Sequence, residues 1–435
     1  MEEKPDLNTK NKRKVNVVNE QRKKQRTDFK NLIEDVKYTF KDGKRYVEPY
    51  VYHHETFCKQ RWLGKTLLDV YSSEFAAYSR DYYEEAINAG RITVNGEAVR
   101  PDYILKNSDL IRHSVHRHEP PVIDEPIQIL KETDDVLCVS KPASLPVHPC
   151  GTYRHNTMEF IMKTELNIQN VYFIHRLDRV TSGLLLTAKS KEKAGELSQL
   201  LRGRTAHKVY LCITDGIVFP TGIKIDAPID VVSHKKGLYA CDSHGKPSCT
   251  YCVPLYYIYN KNQICDIITI DSIKDNEDIY TLLLCIPVTG RTHQIRLHTK
   301  YIGHPIYNDV HYNEKCIREL KEMVPWSPAV IPKDIQNYPL EERIKLTCRF
   351  CQMDEKERMN ALYNDEQLSF MSIALHAFIY IMNGERYECS LPTWPEINTI
   401  PKEQLLEKIK NSINIIFNYD QEHPFLNTDE ENNEQ

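Results

Sequence analysis

The stretch Phe173-Ile174-His175-Arg176-Leu177-Asp178-Arg179-Val180-Thr181-Ser182-Gly183-Leu184-Leu185-Leu186 is the one around which the rest of the chain is organised. One acid sits among His175, Arg176 and Arg179. A small Thr181-Ser182-Gly183 turn follows, and the apolar run after it reads as a buried strand. Neighbouring positive charge favours the charged form of a carboxylate. Such an anion, held at a turn beside a buried strand, serves either as a reacting group or as half of a structural ion pair, for instance with Arg179. Spacing alone leaves both open.

The 435 residues suffice for two or three domains with a sizeable core. With 57 Lys+Arg against 61 Asp+Glu the net charge is -4, so whole-chain charge says nothing about nucleic acid. No apolar run approaches the roughly 18 residues of a membrane span, and the start Met1-Glu2-Glu3-Lys4-Pro5 lacks a secretory apolar core. The 13 scattered cysteines, an odd number, fit reduced thiols better than a disulfide framework. A soluble, intracellular, monomeric protein is expected.

Residues 1–45 read as a basic, disordered tail. Its clusters Lys10-Asn11-Lys12-Arg13-Lys14 and Arg22-Lys23-Lys24-Gln25-Arg26 suit a bipartite nuclear import signal, an electrostatic arm on RNA, or a merely solvated tail. The expected location is therefore the cytoplasm, the nucleus or both. Residues 58–118 form a compact unit. Leu63, Leu67, Leu68 and Val70 recur at helical spacing; Tyr82, Tyr83, Ala86 and Ile87 repeat it up to Asn88-Ala89-Gly90, a C-cap. Arg91 to Gly96 then reads as a strand entering an Asn-Gly hairpin turn, with the return strand within Val99–Ile111. Basic residues punctuate this unit, among them Arg61, Lys65, Arg91 and Arg100, and could form a phosphate-reading face.

Pro120, Pro121 and Pro126 make a stiff linker to a larger unit, 125–400. In it Val136–Val139 is a strand, Ser190 caps a helix stopped by Gly203, and Lys208–Ile213 alternates as a strand. That alternation sends Tyr210 away from the face of Val209, Leu211 and Ile213, which matters only if Tyr210's face lines a cleft. Tyr280–Ile286 is a strand feeding a helix from Thr292 to Tyr301, with Arg296 near its start. Residues 257–279 and 311–365 read as insertions, Leu375–Tyr380 as a buried strand, and 419–435 as an acidic, disordered tail. Cys249 and Cys252 fall in a strand, where that spacing sends the thiols to opposite faces. Cys348 and Cys351 sit in an insertion, a better place for zinc, but zinc takes four ligands and no second matching pair is evident in the sequence. No metal is expected, although a zinc-dependent binding module is a third, weaker reading.

Two resemblances organise these observations. Arg61, Leu63, Leu67, "INAGRITVNGEAV" (87–99) and "KNSDLI" (106–111) resemble the alpha-L RNA-binding motif of a small-subunit ribosomal protein and many RNA-modifying enzymes. "HRLDRVTSGLLL" (175–186), "KVYL" (208–211) and "PVTGRTHQIRLH" with "GHPIYNDVHY" (287–312) resemble the three defining segments of RluA-type pseudouridine synthases. "KPASLPVHP" (141–149) before them and "LHAF" (375–378) with "GERYECSLP" (384–392) after them fit the same family. "RWLGKTLLDV" (61–70) and "VHRHEPPV" (115–122) resemble its eukaryotic branch, which acts on tRNA and other RNAs.

The resemblance implies an α+β fold: a mixed, largely antiparallel, bent-sheet catalytic domain behind a small α/β RNA-binding domain. It also implies isomerisation of uridine to pseudouridine in RNA, with tRNA in the anticodon stem-loop the expected substrate and rRNA or mRNA the alternative. No redox change or group donor enters, so no cofactor is expected. By the resemblance Asp178 is the nucleophile or base, and Arg296 is its ion-pair partner. Tyr210 stacks on the uracil and moves protons. Arg176 fills the space of the displaced base, and His175 touches RNA or braces the loop. A non-catalytic RNA-binding protein that keeps the fold is the reading from another class.

Overall fold

The computed structural model describes residues 36–75, 78–203, 206–219, 221–233, 237–259, 263–265, 279–316, 337–362 and 371–422. The basic clusters at 10–14 and 22–26 and the acidic residues from 423 onward lie outside the described residues.

The first unit runs through β1 (Tyr38–Lys41), β2 (Lys44–Val47), β3 (Tyr50–Phe57), a 3-10 turn (Gln60–Trp62), α1 (Leu67–Glu74), α2 (Arg80–Asn88), β4 (Ile92–Val94), β5 (Glu97–Ala98) and β6 (Leu110–Arg117). Side chains that satisfy the first free backbone N–H groups start both helices: Thr66 accepts from Asp69 N, and Ser79 from Tyr82 N. Asn95 and Gly96 both take positive φ (54° and 87°), so the hairpin is the tight type expected of Asn-Gly. The strands line up antiparallel as β3-β6-β4-β5. Trp62, Leu67, Val70, Tyr83, Ile87, Ile92 and Ile111 fill the core beneath the two helices.

Three expectations shift here. Strands β1 and β2 occupy part of what reads as tail up to residue 45. The helix starts at Leu67 rather than Leu63, which is exposed, because Thr66 supplies the cap. The Asn-Gly hairpin returns on the short β5 (Glu97–Ala98), ahead of the expected Val99–Ile111, and β6 joins β4 only from Leu110, after a loop in which Asp109 gathers donors from Asn95 Nδ2, Tyr103 OH and Lys106 N.

The proline linker is welded rather than free. Its β7 (Val122–Ile123) pairs with β2. The buried Glu119 carboxylate accepts from Tyr50 OH and from the backbone N–H groups of Arg154, His155 and Asn156.

The large unit continues with β8 (Gln128–Glu132), β9 (Val136–Lys141), α3 (Met158–Thr164), β10 (Tyr172–Phe173), β11 (Ser182–Ala188), α4 (Lys191–Arg202), β12 (His207–Asp215) and β13 (Ile223–Asp226). Then come β14 (Ile229–Ser233), β15 (Leu238–Cys241), β16 (Cys249–Tyr259), β17 (Gln263–Cys265), β18 (Ile279–Pro287) and α5 (Gln294–Tyr301). The chain closes with α6 (Leu340–Leu346), α7 (Arg349–Gln352), α8 (Glu355–Leu362), β19 (Leu375–Met382), β20 (Glu385–Glu388) and α9 (Lys402–Glu422). Strand β16 runs on to Tyr259 inside the stretch read as an insertion, and α9 carries helix through 419–422, where a tail was expected.

One large sheet forms the core of this unit, in the order β13-β16-β18-β12-β19-β11-β9-β8. Its neighbouring pairs are antiparallel except β11 with β19. Strand β19, near the end of the chain, thus joins a β13-β16-β18-β12 half to a β11-β9-β8 half.

The opening stretch lies on that seam. Its turn is at Asp178–Thr181, closed by Thr181 N donating to Asp178 O, and not at Thr181-Ser182-Gly183. Ser182 and Gly183 already belong to β11, paired with His376 and Ala377. Gly183 has φ +105°, and a Cβ added there would sit 2.2 Å from the Ala377 carbonyl oxygen. Only glycine lets the two strands approach this closely. Gly183→Ala should therefore lower unfolding free energy by about 3 kcal/mol or more. Gly195→Ala, in α4 with open space around it, should raise it by about 0.5–1 kcal/mol. Urea denaturation of both variants, read by circular dichroism, checks the pair.

Candidate active site

Arg296 is a deeply buried cation of the site. It lies on α5, fed by β18, and its side chain is 2% exposed. A buried guanidinium needs full pairing. Nε and Nη2 donate to Oδ2 and Oδ1 of Asp309 at 2.6 and 2.8 Å, a bidentate pair, while Nη1 reaches Oδ2 of Asp178 at 3.2 Å. Burial works against the charge on Arg296, but the hydrogen bonds and charge of Asp309, then the charge of Asp178, outweigh it and raise its pKa. Burial likewise opposes charge on Asp309, and the Arg296 hydrogen bonds and charge reverse that, drawing its carboxyl below the usual range. The Tyr312 ring covers the guanidinium at 4.9 Å.

Asp178 thus pairs with Arg296 across the seam, and no ion pair joins it to Arg179 among the described residues. Its carboxylate remains part-exposed, at 20%, on a cleft of about 320 Å³. His293 Nε2 stands 3.6 Å from the same oxygen, and its Nδ1 shares a 2.7 Å hydrogen bond with Tyr312 OH. Burial brings His293 down to about 4, so the ring is neutral near pH 7. It occupies the left-handed region (φ 57°) just before α5, a strained conformation of the kind that gathers at functional sites.

Tyr210 faces this cleft, as the alternation of β12 requires, and its hydroxyl shares a 2.7 Å hydrogen bond with Tyr380 OH on β19. Burial pushes the Tyr210 phenol up to about 12, against the lowering effect of the Tyr380 bond. It is therefore a protonated donor at neutral pH. Lys141, fully buried, donates to the carbonyls of Pro142, Leu145 and Arg179. It ties the residue after Asp178 to the end of β9.

Five residues singled out in the sequence, His175, Arg176, Asp178, Tyr210 and Arg296, line this one cleft. His175 is inward-turned: its Nε2 accepts from Leu186 N, and burial brings the ring down to about 3. That bond ties the loop to β11, and the ring also lines the cleft. Arg176 is exposed at the rim and has no ion-pair partner among the described residues.

The residues expected to read phosphate lie on the other unit. Arg91 is corrected outright: it is 5% exposed, bonded to Glu85 and Tyr82 OH, and belongs to the core of that unit. Arg61 and Arg100 are exposed but paired with Glu74 and Asp102. Such surface pairs are worth little. Lys65 is exposed.

Sequence reasoning missed Asp309, His293 and Tyr380. Asp309 lies inside a quoted segment, yet nothing in its neighbours marks it as the anchor of Arg296. Tyr380 left a usable signal, since a tyrosine in an all-buried strand must find a partner for its hydroxyl.

Comparison with known proteins places the chain in a family. Residues 135–301 match the RNA pseudouridylate synthase family and residues 67–111 the S4 domain. RNA pseudouridine synthase 7 of Arabidopsis thaliana is 35% identical over 379 residues, 83% of this chain and 88% of the relative. The chain belongs to the RNA pseudouridylate synthase family.

Within that family, the tRNA pseudouridine(31) synthase of Saccharomyces cerevisiae is 30% identical over 82% of this chain and 96% of its own length. Pseudouridylate synthase RPUSD2 of Homo sapiens is 41% identical over 297 residues, 68% of this chain. The chain spans about half the length of that human relative (49%). The S4 match covers the unit likened above to the alpha-L motif.

Two measurements probe the site as built. Asp309→Ala strands a buried guanidinium and should cost about 3–5 kcal/mol in urea denaturation. Asp178→Asn leaves the bidentate pair intact and should cost less than about 1.5 kcal/mol; equal losses would remove Asp309 as the anchor. The second concerns pH. His175 is neutral when folded and protonates near 6.5 when unfolded, so its contribution is complete above pH 6.5 and is lost as pH falls toward 3. The stability drop between pH 6.5 and 5.5 should therefore shrink by roughly 1 kcal/mol in His175→Gln, whose amide oxygen can still accept from Leu186 N.

Proposed function

We propose that this chain isomerises uridine to pseudouridine in RNA, with Asp178 as nucleophile or base and the anticodon stem-loop of tRNA as substrate. The observation that carries this reading is the part-exposed Asp178 carboxylate, aimed into a cleft by a buried Arg296 that Asp309 holds in place. The reaction breaks the N-glycosidic bond, turns the uracil, and rejoins ribose to ring C5, which gives up its proton to solvent while the freed N1 takes one up. A positioned carboxylate suits such glycosidic chemistry. Fixing its geometry through a buried ion pair supplies orientation before the substrate arrives.

Tyr210 offers the uracil an aromatic face and a protonated hydroxyl, and Tyr380 extends that hydroxyl by one hydrogen bond. The base must leave its stack, which costs about a few kcal/mol. Arg176, exposed at the rim, is placed to stack in the vacated position. A cleft of about 320 Å³ suits a single flipped nucleotide.

The S4 domain adds a second RNA contact, through Arg61, Lys65 and Arg100. The tRNA assignment draws on the yeast relative named for tRNA position 31.

RNA labelled with tritium at uridine C5 tests the reading. Release should occur with tRNA and fall below detection in Asp178→Asn, while that variant's RNA affinity stays within about threefold of the parent. Release from rRNA or mRNA alone would move the substrate. Binding without release from any RNA class would end the enzymatic reading and leave a non-catalytic RNA-binding protein.

A further inference from the structure

The CxxC stretch in the second insertion, which lacked a second pair in the sequence, acquires one in space. Cys348 caps α7 and Cys351 lies on its single turn. Facing them are His116, on β6, and His118, one residue past its end; two positions apart on an extended chain, they point to one side. The four ligand atoms all lie within 4.8 Å of one another. Cys351 Sγ is 3.0 Å from His116 Nδ1 and 3.6 Å from His118 Nε2, and Cys348 Sγ is 3.4 Å from His118 Nε2. Zinc bonds of about 2.3 Å to sulfur and about 2.0–2.1 Å to nitrogen imply tetrahedron edges of roughly 3.3–3.8 Å. The cluster already has nearly that size. The two rings stand almost perpendicular, 87° apart, so each can direct a different nitrogen inward.

A second observation points the same way. Helices α6, α7 and α8 are seven, four and eight residues long, and α7 buries no residue. Across residues 337–358 of this insertion, Ile344 and Thr347 are the buried residues. Helices so short do not persist alone, and a segment with so little core needs a staple. The four side chains stand where one would act.

We infer that His116, His118, Cys348 and Cys351 bind one zinc ion, clasping the catalytic domain's insertion to the last long strand of the S4-containing unit. Two thiolates neutralise the dication, and four protein ligands leave no open position for substrate. The site is therefore structural. It joins residues more than 230 positions apart and fixes how the RNA-binding unit sits on the catalytic domain.

The test uses the full chain, purified without a metal-binding tag. Elemental analysis should find about one zinc per chain. Maleimide labelling with peptide mapping should show Cys348 and Cys351 protected until a strong chelator is added, with the exposed Cys150 labelled throughout. Chelation should also open residues 337–362 to protease while Asp178-dependent chemistry persists on short RNA substrates. Cys351→Ser and His118→Asn should each lose the zinc. Should a variant fail to fold, the chelation and labelling of the parent chain decide alone. A folded, zinc-free chain that takes up no added zinc, and whose two thiols label equally with and without chelator, would overturn the assignment. Undiminished zinc in both variants would do the same.

Discussion

Everything in the catalytic domain is arranged to let one guanidinium stay charged in a dry place. Arg296 has no water to solvate it, so its charge is tolerable only while Asp309 grips it from two directions. One of the N–H groups that this grip leaves goes to Asp178. The strong pair is thus the fully buried one, and the weaker, longer contact reaches the part-exposed acid. The part-exposed Asp178 carboxylate, held by a single 3.2 Å bond, keeps most of its lone pairs open to the cleft, whereas the fully buried Asp309 also accepts from His311 N. The division of labour between the two acids follows from which is buried.

The seam explains why the site needs so many elements. Asp178 arrives on the turn before β11, while Tyr210 and Arg296 come from β12 and from the helix after β18. These halves of the sheet meet through β19, which also contributes Tyr380. Close approach of β11 to β19 across the seam depends on Gly183, a residue without a side chain.

Much of this was legible in the sequence, for reasons that are local. Ser190 and Gly203 bracket α4 as capping chemistry requires, Asn95-Gly96 makes its hairpin, and the alternation of β12 turns Tyr210 toward the cleft. What could not be read depends on pairings between distant residues. Arg91 looked like one more surface cation; its burial against Glu85 and Tyr82 follows from packing no periodicity records. Asp309 gave no sign of its role, since a bidentate partner is defined by two directions in space. The sequence offered Cys348 and Cys351 without companions because the companions are histidines on a different domain. The turn was misplaced by a few residues because Thr-Ser-Gly is ordinary turn chemistry, whereas here glycine serves a close strand contact instead.

The position of β19 has a consequence for how the protein comes into being. The chain is synthesised from its N-terminus, so β11 and β12 leave the ribosome well over a hundred residues before the strand that must slot between them. Until then each half of the sheet presents an open edge, a condition that invites wrong partners. It also means that Asp178 and Arg296 have no fixed distance in the nascent chain. Asp178 and Arg296 both precede β19 in the sequence, so they meet at 3.2 Å only after the strand that joins their two halves of the sheet has been made.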